Sequence, residues 1–114
     1  MSQHSGLDPE AWSRFSIDQQ ILMIGNEMNR ASRFLGGGSL PSFRRGYERV
    51  LRLTDLTAAC RPRPRLLREL LRWREMATAL YIMEEPGLEQ HLALFRALLQ
   101  LRPETAKQIR LLWS

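Results

Sequence analysis

Few residues in this chain could carry catalytic or metal chemistry. The histidines are His4 and His91, and Cys60 is the one cysteine. A zinc site draws several ligands from cysteine and histidine, and a di-iron bundle needs Glu-x-x-His pairs on two helices, whereas Leu88 stands three residues before His91. A nucleophile needs a neighbouring base, and neither histidine is close to Cys60 in sequence. We therefore predict no catalytic residue, no metal, no cofactor and no enzymatic activity.

The glycine run at 36–38 does not form a phosphate-binding motif. Such a loop follows a strand and leads to a lysine, but this run is followed by Ser39 and Leu40 and comes after a segment with helical periodicity. We predict that it ends a helix.

Positive charge is concentrated in the middle of the chain. The net charge is +5, and residues 44–74 hold most of the excess, almost entirely as arginine. Two sets have helical spacing and would form one basic surface if their helices were adjacent: Arg45, Arg49 and Arg52, and then Arg65, Arg68 and Arg72. Such a surface favours an anionic partner, either nucleic acid or an acidic protein. Tyr47 and Trp73 lie on the predicted inner faces, so the aromatic platform that stacks single-stranded bases is missing.

Hydrophobic periodicity predicts helices throughout residues 16–114, after an N-terminal arm at 1–15 that offers Trp12 and Phe15 for docking. A capping box at Ser16–Gln19 begins the first helix, and the glycine run ends it. The second helix begins near Ser39 and stops at Arg61-Pro62-Arg63-Pro64. Further helices are predicted from about 65 to 83 and 88 to 101, and a short last helix begins at Pro103.

No segment alternates as a strand does, so the predicted fold is all-α. Four main helices with short connections imply an up-and-down antiparallel bundle, here with a short C-terminal helix, as a single domain over 16–114. Gly46 lies inside the second helix and predicts a close helix approach. The predicted inner face of the fourth helix is Leu88, Leu92, Phe95 and Leu99, and its apolar arc is widened by Leu94, Leu98 and Leu101.

Two arginine- and leucine-rich runs resemble a family of small prokaryotic helical proteins. The runs are residues 47–57 (YERVLRLTDLT) and 65–75 (RLLRELLRWRE), which are similar to the "ALEL-x-DLT" and "ELLRLRE" runs of that family. The resemblance covers roughly residues 12–82, and the chain departs from it at Val50 and Arg52. It implies a cytoplasmic helical bundle and brings no activity or cofactor. The matching polar residues form a candidate polar network: Glu27, Arg30, Asp55, Glu69 and Arg72.

Three functions remain open. The preferred one is a non-enzymatic helical interaction module that self-associates as a homodimer, because the wide apolar arc of the fourth helix and Leu22, Met23 and Leu71 exceed what one core needs. The alternative is a binder of nucleic acid or an acidic protein through the arginines. The third is a polar ligand pocket built from Glu27, Asp55 and Arg72. A buried Glu27–arginine contact would instead fix how the helices pack.

The predicted location is the cytoplasm, with no membrane partner. The longest apolar runs are four residues, far fewer than a spanning helix requires. The N-terminus has no basic start followed by an apolar stretch, and a lone cysteine fits a reducing compartment.

Overall fold

Helix follows helix along the part of the chain that the computed structural model describes, residues 8–113. His4, with the first half of the predicted arm, and Ser114 lie outside that range. The helices are α1 (Pro9–Trp12), α2 (Ile17–Ala31), α3 (Leu40–Ala59), α4 (Pro64–Tyr81), α5 (Leu88–Leu99), α6 (Pro103–Ala106) and α7 (Gln108–Trp113), with a 3-10 turn at Ser32–Phe34.

The four long helices form an up-and-down bundle. α2 packs on α3, α3 on α4, α4 on α5, and α5 packs back on α2. Short connections make neighbours antiparallel, so the start of α5 meets the end of α2, where His91 contacts Met28. The end of α5 meets the start of α2, where Arg102 bonds Asp18. No strand occurs within residues 8–113, and the predicted all-α bundle is confirmed.

The predicted starts of the first two long helices are confirmed in atomic detail. The Gln19 amide donates to Ser16 Oγ at 3.1 Å, and the Ser16 amide donates to Gln19 Oε1 at 2.8 Å, which together make the capping box. Ser39 caps α3 by accepting from the Ser42 amide. These side chains satisfy amides that the first helical turn leaves without intrahelical partners.

The connection between α2 and α3 contains the two glycines that need the left-handed conformation. Gly36 has φ of 70° and Gly37 has φ of 108°, where a side chain would be strained. α2 ends at Ala31 and continues as a 3-10 turn before this run. At Gly46 an added Cβ would lie 3.4 Å from Ala31 Cβ, so α2 and α3 approach closely there, as predicted.

The core lies between the four long helices. Tyr47 and Trp73, which the sequence places on the inner faces, are buried. Trp73 Nε1 donates to the Leu94 carbonyl at 2.8 Å and so ties α4 to α5. Burying the ring while satisfying its one donor avoids the cost of an unbonded polar group.

Residues 8–15 are more ordered than a loose arm. Asp8 caps α1 by accepting from the Ala11 amide, and Pro9 occupies the first helical position. Trp12 is fully buried, and its Nε1 donates to Thr57 Oγ1 at 2.9 Å. This segment therefore covers one end of the bundle, whereas Phe15 stays partly exposed.

The fourth long helix differs from its prediction. Leu88 was expected in the core and is 45% exposed, because it begins α5, before a neighbouring helix covers it. Leu94 and Leu98 were expected to be surplus apolar surface and are instead buried by the chain itself. The last helix is divided into α6 and α7 at Lys107.

Candidate functional site

Glu27 forms the most buried ion pair of the predicted polar network. The residue is 3% exposed on α2, at the contact with α3. Its Oε2 accepts from Arg49 Nε at 2.9 Å, and its Oε1 accepts from Arg30 Nη1 at 3.3 Å. Removing either charge would leave the other in a poorly solvated place, so this pair holds α2 and α3 in register. It is the buried glutamate–arginine contact considered above.

The other members of the network form separate pairs. Asp55 accepts bidentate hydrogen bonds from Arg74 Nε and Nη2, at 2.6 and 3.1 Å, which join α3 to α4. These bonds raise the pKa of Arg74. Glu69 accepts from Arg65 Nε at 3.3 Å within α4. Arg72 is exposed on α4 and belongs to none of these pairs.

The pocket predicted from Glu27, Asp55 and Arg72 is not formed. Glu27 meets the α2 side of α3, and Asp55 lies on the side of α3 that meets α4. These residues hold helices together in separate places and do not surround one cavity.

The six arginines of the two sets have different surroundings. α3 and α4 are adjacent, but their contact contains the Asp55–Arg74 pair and a bond from the Tyr81 hydroxyl to Glu48. In the α3 set, Arg49 turns towards α2; in the α4 set, Arg65 lines a cavity towards α5. Arg45, Arg52, Arg68 and Arg72 are exposed, and Arg52 lies on the same flank of α3 as Glu48 and Asp55, which bond to α4.

A buried histidine cluster was not predicted from the sequence. His91 is fully buried, and its Nε2 lies 2.9 Å from both the Met28 carbonyl and Ser32 Oγ. A carbonyl only accepts, so Nε2 carries the proton and Nδ1 accepts from the Tyr47 hydroxyl at 2.6 Å. Ser32 Oγ itself donates to the Met28 carbonyl. The signal in the sequence was a histidine on the inner arc of a leucine-rich helix.

Burial governs the ionisation of this cluster. It lowers the pKa of His91, although the bond to the Met28 carbonyl opposes the change, and it raises the pKa of Tyr47. A neutral imidazole that donates to a carbonyl and accepts from a tyrosine meets all its bonding needs within the protein. The cluster therefore fastens α5 to α2 and α3.

The open surface between α4 and α5 is a groove without charged side chains. We call it the apolar groove; its volume is about 400 Å³ and its lining is Met76, Ala79, Leu80, Met83, Gln90, Ala93, Leu94 and Ala97. Leu80 and Leu94 are buried, whereas Met76 is 50% exposed. Alanine side chains are short, so another surface could come close to the backbone of both helices.

The groove has oppositely charged ends. At one end, where α4 begins, lies a cavity of about 820 Å³ whose lining includes Arg63, Arg65 and Glu69. From Arg61 to Arg74 every charged residue except Glu69 is an arginine. At the other end lie Met83 and Gln90, and every charged residue from Glu75 to Phe95 is acidic. Arg44 of α3 also reaches this end, where its Nη2 donates to the Met83 carbonyl at 3.0 Å, so three glutamates there stand against one arginine.

Comparison of the chain with known protein families, curated proteins and solved structures finds no match. The resemblance to a prokaryotic helical family stays a prediction. Within residues 8–113, no group of three or more histidine, cysteine and acidic side chains could hold a metal ion. No helix in that range is long and apolar enough to cross a lipid bilayer.

Proposed function

We propose that this protein is a non-enzymatic helical interaction module that self-associates through the apolar groove. The observation that carries the proposal is the groove itself: α4 and α5 leave an uncharged depression with Met76 half exposed at its edge. The first reason for expecting self-association, a surplus of apolar surface on the fourth helix, no longer applies, because Leu94 and Leu98 are covered within the chain.

Burial of this groove would provide the favourable free energy of association. Each square ångström of apolar surface removed from water contributes about 25 cal/mol before the entropy lost on association is counted. Ala79, Ala93 and Ala97 have little side-chain entropy to lose, and their small size permits close helix packing. A two-fold dimer is the commonest arrangement in which one such face covers another.

The test is sedimentation velocity over a range from low to high micromolar protein. We expect the wild-type chain to pass from monomer to dimer and Ala97→Arg to remain monomeric, because an arginine in the groove would be buried without a partner. The matched control is Ala59→Arg, at an exposed alanine that ends α3 and is not part of the groove lining. A wild-type monomer at every concentration, or an unaffected Ala97→Arg dimer, would contradict the proposal.

The alternative function is binding of nucleic acid or an acidic protein through the exposed arginines. It is favoured by the run of arginines along the first half of α4, where Arg68 and Arg72 are exposed. It is weakened because two of the six arginines are in ion pairs: Arg49 with the buried Glu27, and Arg65 with Glu69. Such binding would fall steeply with salt, because neutralised phosphates release counterions. An affinity for single- or double-stranded DNA that is lost in Arg68→Glu/Arg72→Glu would favour this alternative.

A further inference from the structure

We infer that the occupant of the apolar groove is a second copy of this chain in one orientation, related by a two-fold axis that crosses the middle of the groove near Ala79. This inference rests on the proposed function and adds the geometry of the partner. In that orientation the arginine-rich start of each α4 lies over the acidic end of the partner's groove.

The first support is the distribution of charge along the groove. We call Arg65, Arg68 and Arg72 the basic end, and Glu84, Glu85 and Glu89 the acidic end. All six side chains belong to exposed residues. The basic end lies on the first half of α4, and the acidic end surrounds Met83 and Gln90, which line the far part of the groove.

The second support is symmetry. In a two-fold interface, when residue i of one copy contacts residue j of the other, j of the first contacts i of the second. Arg72 lies one helical turn before Met76, and Glu84 directly follows Met83, so the basic and acidic ends flank the groove lining on α4. A two-fold axis perpendicular to the groove at its middle, near Ala79, therefore superposes each basic end on an acidic end and each uncharged middle on its copy.

The third support is that the opposite orientation is unfavourable. If the two α4 helices ran parallel across the interface, Arg65, Arg68 and Arg72 of each copy would face the same arginines. Facing like charges cost free energy, and complementary charges at the edge of an interface fix orientation more than they raise affinity. The groove thus supplies the attraction, and its ends select the antiparallel arrangement.

The experiment is a charge exchange measured by sedimentation. The basic-end variant is Arg68→Glu/Arg72→Glu, and the acidic-end variant is Glu84→Arg/Glu89→Arg. Each alone should weaken its homodimer roughly tenfold at low salt, because both symmetry-related contacts become repulsive. An equimolar mixture should form heterodimers with affinity close to that of the wild-type homodimer, since both contacts are then again opposite in sign.

The controls separate this inference from the proposed function. Arg45→Glu, on the outer side of α3, should dimerise like the wild type, and circular dichroism should show the same helix content for every variant. A wild-type dimer whose affinity is unchanged in both variants, or variants that fail to recover on mixing, would overturn the antiparallel geometry and leave self-association intact. A wild-type monomer would overturn both.

Discussion

His91 connects three helices of the bundle through one side chain. Its two ring nitrogens bond the Met28 carbonyl and the Tyr47 hydroxyl, so a single residue of α5 is attached to α2 and α3. A buried imidazole near a tyrosine and a serine has the residue types of a catalytic group. Here the side chains bond each other and the backbone and are closed off from solvent, which indicates a packing role.

At this scale we predict a pH dependence of stability that depends on His91. In the unfolded chain the histidine takes up a proton near its ordinary pKa of 6.5, whereas burial lowers that pKa in the folded protein. Between those two values the unfolded state binds more protons, so stability is complete above about 6.5 and falls as the pH drops. The wild type should lose up to about 1.4 kcal/mol per pH unit from this group.

The measurement is urea denaturation of the wild type and His91→Gln at several pH values from 7.5 to 5. His91→Gln should be less stable at pH 7.5 and should show a shallower decline towards pH 5. All other titrating groups are common to the two proteins, so the difference in slope belongs to His91. Equal slopes would mean that the folded protein protonates His91 as easily as the unfolded chain.

At the scale of elements, the polar residues connect one helix to another. Glu27 with Arg49 joins α2 to α3, Asp55 with Arg74 joins α3 to α4, and Arg102 with Asp18 joins the end of α5 to α2. The pairs differ in burial, and burial decides what each contributes. An exposed pair contributes little because water screens it.

We predict that Arg49→Met destabilises the protein by about 2–3 kcal/mol, because it leaves the Glu27 carboxylate buried without its closest cation. The matched variant is Arg65→Met, whose side chain is 88% exposed and bonds Glu69 within one helix. It should change the free energy of unfolding by less than about 0.5 kcal/mol. The check is chemical denaturation at neutral pH; equal effects of the two substitutions would show that burial of Glu27 does not matter.

The sequence predicts the elements well and their mutual orientation poorly. The local signals are the periodic apolar residues, the Ser16 capping box and the glycine run. Each of them marks a helix or a helix boundary in the structure. α1 was missed because four residues carry no periodicity, although Asp8-Pro9 is a helix-start signal. The separation of Glu27 from Asp55 was not predictable, because it depends on which flank of α3 each neighbouring helix occupies.

The sequence also does not predict how the arginines and the apolar residues of α5 are oriented in the bundle. Regular spacing shows that each set shares one side of its helix, but not which way that side faces in the bundle. Leu94 and Leu98 were predicted to be surplus apolar surface because the buried face of the helix was assumed to be narrow. In the structure, α4 covers one flank of α5 and α2 covers the other. Where neighbouring helices cover both flanks of a helix, a wide apolar arc is ordinary core.

For the whole molecule, the bundle buries its own core and leaves one face without charge between two oppositely charged ends. A second copy of the chain complements a neutral groove with such ends. An extended anion would be repelled by Glu84, Glu85 and Glu89 along the same face. The consequence is that association should involve α4 and α5 and leave α2 and α3 unchanged.

The most direct measurement uses methionine methyl groups as reporters in the native sequence. Met76 and Met83 line the apolar groove, whereas Met28 lies in the core and Met23 is a partly buried residue of α2 outside the groove lining. With ¹³C-labelled methionine methyls, we expect the Met76 and Met83 signals to move with protein concentration while those of Met23 and Met28 stay in place. Signals that are all independent of concentration, or a shift at Met23 without one at Met76, would contradict self-association through this groove.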